Sequence, residues 1–115
     1  MASAEQVEQL LERFRRAIDA SECVLTKRYY TKRDGSKITY FEAMVELNIT
    51  KDEAFSIVRS LQPSDYRKGP EEDRDRPEEG KCIWVFKPTV KGDLIYIKLK
   101  FTNSTATILS LHKDW

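Results

Sequence analysis

The sequence predicts an α+β domain, with helices in its first half and an antiparallel sheet in its second. Apolar residues recur at helical spacing in residues 4–20 and 39–61, and from Cys82 onward the chain reads as strand, with clean alternation from Asp93 to Phe101. The chain's 115 residues suit one domain, and one core of that size needs neither disulfides nor metals.

Val7, Leu10, Leu11, Phe14, Ala17 and Ile18 follow the i, i+3, i+4, i+7 rule, with Glu8, Glu12, Arg15 and Arg16 opposite. This predicts an amphipathic helix from Ala4 to Ala20. Ser3 or Ala4 starts it weakly, so its first turn is expected to fray. Cys23 through Thr31 is rich in β-branched and aromatic residues and reads as a strand or extended segment. Arg33-Asp34-Gly35-Ser36 is a turn, because Asp-Gly accepts positive φ. Helical spacing returns at Thr39 and runs to Leu47. Thr50-x-x-Glu53 is a capping box that opens a further helix, ended by Pro63.

Ser64 to Lys81 combines proline, glycine and dense charge. It predicts a long surface loop, acidic in its middle. Three antiparallel strands are expected after it. Cys82 to Pro88 is the first. In the second, Asp93 to Phe101, Ile95, Ile97, Leu99 and Phe101 face the core, while Tyr96, Lys98 and Lys100 face away. In the third, Thr105 to His112, Thr107, Leu109 and Leu111 share one face and Ile108, Ser110 and His112 the other.

Hydrophobic residues make up 40% of the chain and charged residues 34%, a balance that excludes a disordered composition. No apolar run reaches the roughly 18 residues of a membrane helix, and the opening residues lack a signal-peptide core. The expected location is the cytoplasm, with no membrane partner. Cys23 and Cys82 form no CxxC pair, and His112 is the only histidine. Reduced thiols, no metal and no cofactor are therefore expected. The net charge of +1 announces no nucleic-acid binder. Its distribution is uneven, however. Lys27, Arg28, Lys32, Arg33 and Lys37 face only Asp34 in their segment, while acid concentrates in residues 71–79. The pattern fits either a basic face for RNA or ordinary solvated surfaces.

The polar face of the meander holds the candidate chemistry. Tyr96, Lys98 and Lys100 share it with Ser110 and His112. Asp65, Tyr66, Arg67 and Lys68 approach from the preceding segment, and Lys87 ends the first strand. RNA cleavage by 2′-hydroxyl attack needs a base, an acid and cations for the phosphorane charge. Each residue also has an ordinary role, in packing for tyrosine and in solubility for lysine.

Four segments in order carry a resemblance: Ser64-Asp65-Tyr66-Arg67-Lys68, Val85-Phe86-Lys87-Pro88, Tyr96-Ile97-Lys98-Leu99 and Leu109-Ser110-Leu111-His112. With Leu61 before the first and Gly92 before the third, they resemble the motility quorum-sensing regulator (MqsR) toxins of toxin–antitoxin pairs. The likeness spans about residues 40 to 113. It implies a RelE-like fold of helices on a small antiparallel sheet, forming a single domain over residues 1–115. It implies an mRNA endoribonuclease restrained by a cognate antitoxin protein. Carried over, the family's loop lysine falls on Lys68, its strand tyrosine on Tyr96 and its last basic residue on His112. These are the expected catalytic residues, with Arg67, Lys87 and Lys98 expected to bind RNA. The family's glutamine after the first-strand tryptophan has no match, since Val85 follows Trp84. Arg67 also stands where the family has tyrosine. A non-catalytic toxin-like domain that binds protein or RNA is the alternative. An unrelated interaction domain built on the acidic segment is a third.

Overall fold

The computed structural model describes residues 1–115. Helix α1 spans Ala4–Asp19 and buries Val7, Leu10, Leu11 and Phe14, the stripe its spacing predicts. Its start is firm rather than frayed. The Ser3 hydroxyl accepts from the Gln6 N–H at 3.2 Å, and the Gln6 side chain accepts from the Ser3 N–H at 2.9 Å. Glutamine replaces the usual glutamate in this capping box, and two orphan donors are satisfied.

The segment expected to be one strand divides in two. Strand β1, Val24–Leu25, joins the main sheet, whereas β2, Tyr29–Thr31, pairs with β3, Lys37–Thr39, as a separate hairpin. The Asp34–Gly35 turn closes the hairpin, with the Asp34 carboxylate accepting from both the backbone N–H and the hydroxyl of Ser36. Helices α2, Tyr40–Leu47, and α3, Lys51–Arg59, follow, each opened by a capping box, Thr39 with Glu42 and Thr50 with Glu53.

Residues 64–81 are the main correction. Tyr66–Glu72 forms an edge strand, β4, antiparallel to β5, Lys81–Phe86. Its register shifts repeatedly, and Pro70 sits in it, as an edge tolerates. Gly69 permits the pairing. A Cβ there would lie 2.5 Å from the Ile83 carbonyl oxygen and 2.9 Å from the Trp84 Cα, and its φ is +120°. Ser64 and Asp65 lie in a 3-10 turn, and otherwise only residues 73–80 remain outside strand pairing. The latter are tethered by Lys100, whose ammonium lies 2.8 Å from both Asp73 and Glu79.

A short β6, Thr89–Val90, pairs with β7, Asp93–Thr102, and β8, Thr105–Lys113, is the last strand, followed by Asp114 and Trp115. The main sheet runs β1-β8-β7-β5-β4, all antiparallel except β1, which lies parallel to β8. The sheet and three helices make the α+β class. Ile95, Ile97 and Leu99 are fully buried in one cluster with Phe14, Val58 and Leu61. Each such side chain contributes about 2 kcal/mol by leaving water. Phe101 is half-buried rather than buried, tilted against Phe14 at 6.3 Å under the Arg13 guanidinium.

The faces of β8 are also corrected. Leu99 pairs with Ile108 and Lys98 with Ser110, leaving Leu109 as an extra residue. This bulge reverses the alternation within the strand. Ala106, Ile108 and Leu111 therefore all enter the core, while Ser110 and His112 keep the opposite side. No helix is long and apolar enough to cross a membrane. Cys82 is buried and Cys23 half-buried, and both are free. Burial pushes the Cys23 thiol up to about 11.

Candidate active site

The sheet face turned away from the helices arranges its side chains in rows. In the first row Tyr96 is directly opposite His112 across β7 and β8, with ring centroids 5.2 Å apart and planes 15° from parallel. The Lys87 ammonium lies 5.9 Å from the Tyr96 ring on the far side. The second row runs Lys68, Val85, Lys98 and Ser110 across four strands. Lys68 and Lys98 are thus separated by one strand, roughly 10 Å between backbones. The third row runs Glu71, Ile83, Lys100 and Thr107. A groove of roughly 490 Å³ is bordered by Arg28, Lys68, Lys98, Tyr96, Glu71 and Asp73 among others, and His112 and Lys87 lie outside its lining.

His112 has one ring nitrogen engaged and the other without a protein partner. Its Nδ1 lies 2.6 Å from the Lys113 carbonyl oxygen. A carbonyl only accepts, so Nδ1 carries the hydrogen and Nε2 holds the lone pair. Nε2 has no protein partner, and no fully buried side-chain nitrogen or oxygen is left unpartnered, so Nε2 is not sealed from solvent. Burial holds the imidazole below its usual range, against the opposing pull of the Lys113 carbonyl, Asp114 and Glu46. His112 is therefore neutral at physiological pH. Burial likewise raises Tyr96, aided by Glu71 and Asp114, so its hydroxyl keeps its proton.

Lys98 is the unusual cation. It is half-buried, no carboxylate lies within 4.0 Å of its ammonium, and its value is lowered by burial and then by Arg28 and Lys68. Every other lysine of this sheet face has an acidic neighbour. Lys68 lies 3.5 Å from Glu71, Lys87 3.2 Å from Asp114, and Lys100 sits between Asp73 and Glu79. A desolvated cation without a counter-ion beside two other cations is a place for an anion.

The structure thus gathers His112, Tyr96, Lys98 and Lys87, with Lys68 one strand away. Arg67 stands apart. Its guanidinium donates to the backbone carbonyls of Ser64, Asp65, Tyr66 and Lys87, which clasps the turn before β4 to the end of β5. Several neighbours escaped sequence reading. Tyr30 donates no part of the periodic pattern, yet its hydroxyl accepts from the Leu111 N–H at 3.2 Å and its ring lies 4.8 Å from His112. Trp115 stacks on His112 at 4.0 Å. Arg28 was visible only as part of the basic segment. No group of three or more His, Cys, Asp or Glu side chains stands in the geometry of a metal site. No protein-family model matches the chain, and no curated protein matches it.

Proposed function

We propose that the chain is an mRNA endoribonuclease toxin of the MqsR type, acting by 2′-hydroxyl attack without a metal ion. The observation that carries this is the pairing of a neutral His112, its Nε2 lone pair open, with Tyr96 and the unpaired Lys98. Nε2 takes the 2′-hydroxyl proton as the 2′-oxygen attacks phosphorus. Lys98 and Lys68 stabilise the phosphorane charge. The Tyr96 hydroxyl gives its proton to the leaving 5′-oxygen as the P–O5′ bond breaks, leaving a 2′,3′-cyclic phosphate and a 5′-hydroxyl. The order and spacing of the four family-like segments support the same reading. So does a groove edged by Arg28 and Lys68, which suits a phosphate backbone.

A cognate antitoxin and cellular mRNA are the proposed partners, met in the cytoplasm. The second reading, a non-catalytic toxin-like binding domain, is favoured by one observation: Arg67 and Lys87 are already engaged, and Glu71 and Asp73 border the groove. Single-turnover cleavage of RNA decides between them. His112→Ala should slow it about 10²-fold or more, with Tyr96→Phe close behind, and EDTA should leave the wild type unaffected. Wild-type speed in folded His112→Ala, or loss of activity in EDTA, would refute the proposal. A wild type that binds RNA without cutting it would establish the second reading.

A further inference from the structure

The imidazole of His112 is enclosed by rings from three directions. Trp115 lies parallel to it, 4.0 Å away with planes 4° apart. Tyr96 is parallel at 5.2 Å, and Tyr30 is tilted at 4.8 Å. Trp115 is itself held from outside the sheet. Its indole N–H donates to the Glu46 carboxylate on α2 at 3.1 Å. The same carboxylate binds the Lys32 ammonium at 2.6 Å, and that ammonium sits 5.4 Å from the indole centroid. Lys32 belongs to the β2–β3 turn. Helix, hairpin and the residues after β8 therefore converge on one indole, whose broad contact is with the candidate catalytic ring.

We propose that Trp115, held by Glu46 and Lys32, is a positioning residue that fixes the ring plane and tautomer of His112. The role rests on the ribonuclease reading of His112. The torsion that turns an imidazole is broad and roughly two-fold, so an uncovered ring flips and exchanges Nδ1 with Cδ2 and Nε2 with Cε1. A flip would put Cδ2 against the Lys113 carbonyl, remove the hydrogen bond that keeps the proton on Nδ1 and so let either nitrogen carry it. An indole face 4.0 Å away fills the volume the ring must sweep. With Trp115 in place, Nδ1–H stays on the Lys113 carbonyl and Nε2 keeps its lone pair as the proton acceptor. Glu46 acts one step further out, by holding the indole.

His112 is the only histidine, so nitrogen NMR reads its tautomer without assignment ambiguity. At neutral pH the wild type should show Nδ1 protonated and Nε2 bare. Trp115→Ala should give a mixture of tautomers and slow single-turnover cleavage by about 10-fold, the scale of a misaligned reacting group. Trp115→Phe should restore most of both, and Glu46→Ala should reproduce part of the loss. An unchanged tautomer in Trp115→Ala overturns the proposal whatever the cleavage rate. So does faster cleavage, which would make the indole a cover over the ring. A wild type that cuts no RNA removes the positioning role along with the ribonuclease reading, and is told apart because it fails before any variant is made.

Discussion

Gly69→Ala tests whether β4 is pressed flat on β5, the feature that brings Lys68 to the sheet face. Gly69 has φ +120°, where an L side chain is strained, and the added methyl would meet backbone at 2.5 and 2.9 Å. Neither the Ile83 carbonyl nor the Trp84 Cα can rotate aside, so strands must separate. Backbone strain costs about 1–3 kcal/mol. Overpacking adds about 1–3 kcal/mol. The expected loss is therefore about 2–6 kcal/mol, or roughly 8–24 °C in Tm for a domain this size. Gly92→Ala supplies the control. Its φ is +83° but nothing lies within 4 Å, so only the backbone strain applies. Urea and thermal midpoints of both variants give the difference. Equal losses would refute the close approach of β4 to β5, and with it the placement of Lys68 in the second row.

Lys100→Met should leave the carboxylates of Asp73 and Glu79 facing each other without their cation, costing about 1–3 kcal/mol. Trypsin should then cut faster after Arg74, and unchanged cleavage there would show that Lys100 does not tether the segment. Stability should also fall in mild acid. The folded His112 binds its proton less readily than the unfolded chain, whose histidine titrates near 6.5, so unfolding free energy rises with pH between the folded value and about 6.5 and is flat above. Urea midpoints at about pH 5.5 and 7.5 should differ more in the wild type than in His112→Gln, and equal differences would contradict the burial of the ring.

Most of the helical half was legible in the sequence, and so was the shared sheet face of Tyr96, Lys98 and His112. The Val7–Phe14 stripe, the Thr39 and Thr50 caps and the Asp34–Gly35 turn are written within a few residues of one another. The alternation Ile95, Tyr96, Ile97, Lys98, Leu99 placed Tyr96 and Lys98 away from the core, because every strand side chain must face one side or the other. His112 was placed beside Tyr96 although the alternation around it was misread. The bulge at Leu109 changes the phase upstream of Ser110 and leaves Ser110 and His112 where they were expected. β4 was missed because its charges, Gly69 and Pro70 describe a loop when read alone. An edge strand with an exposed outer side tolerates all of them once β5 offers a partner.

The sequence by itself determined which residues form helices, where those helices begin, and which side of β7 is apolar, since capping and periodicity act over three or four residues. Only the tertiary structure decided which strands meet. The parallel pairing of Val24–Leu25 with β8, the register that sets Tyr96 against His112, and the bulge at Leu109 depend on edges contributed by distant segments. The surroundings of His112 are decided in the same way. Tyr30, Glu46 and Trp115 span 85 positions of sequence, and nothing local to any of them specifies the others. They meet because the hairpin, α2 and the residues after β8 pack around one strand end, and burial there gives the imidazole its neutral form and its single exposed nitrogen.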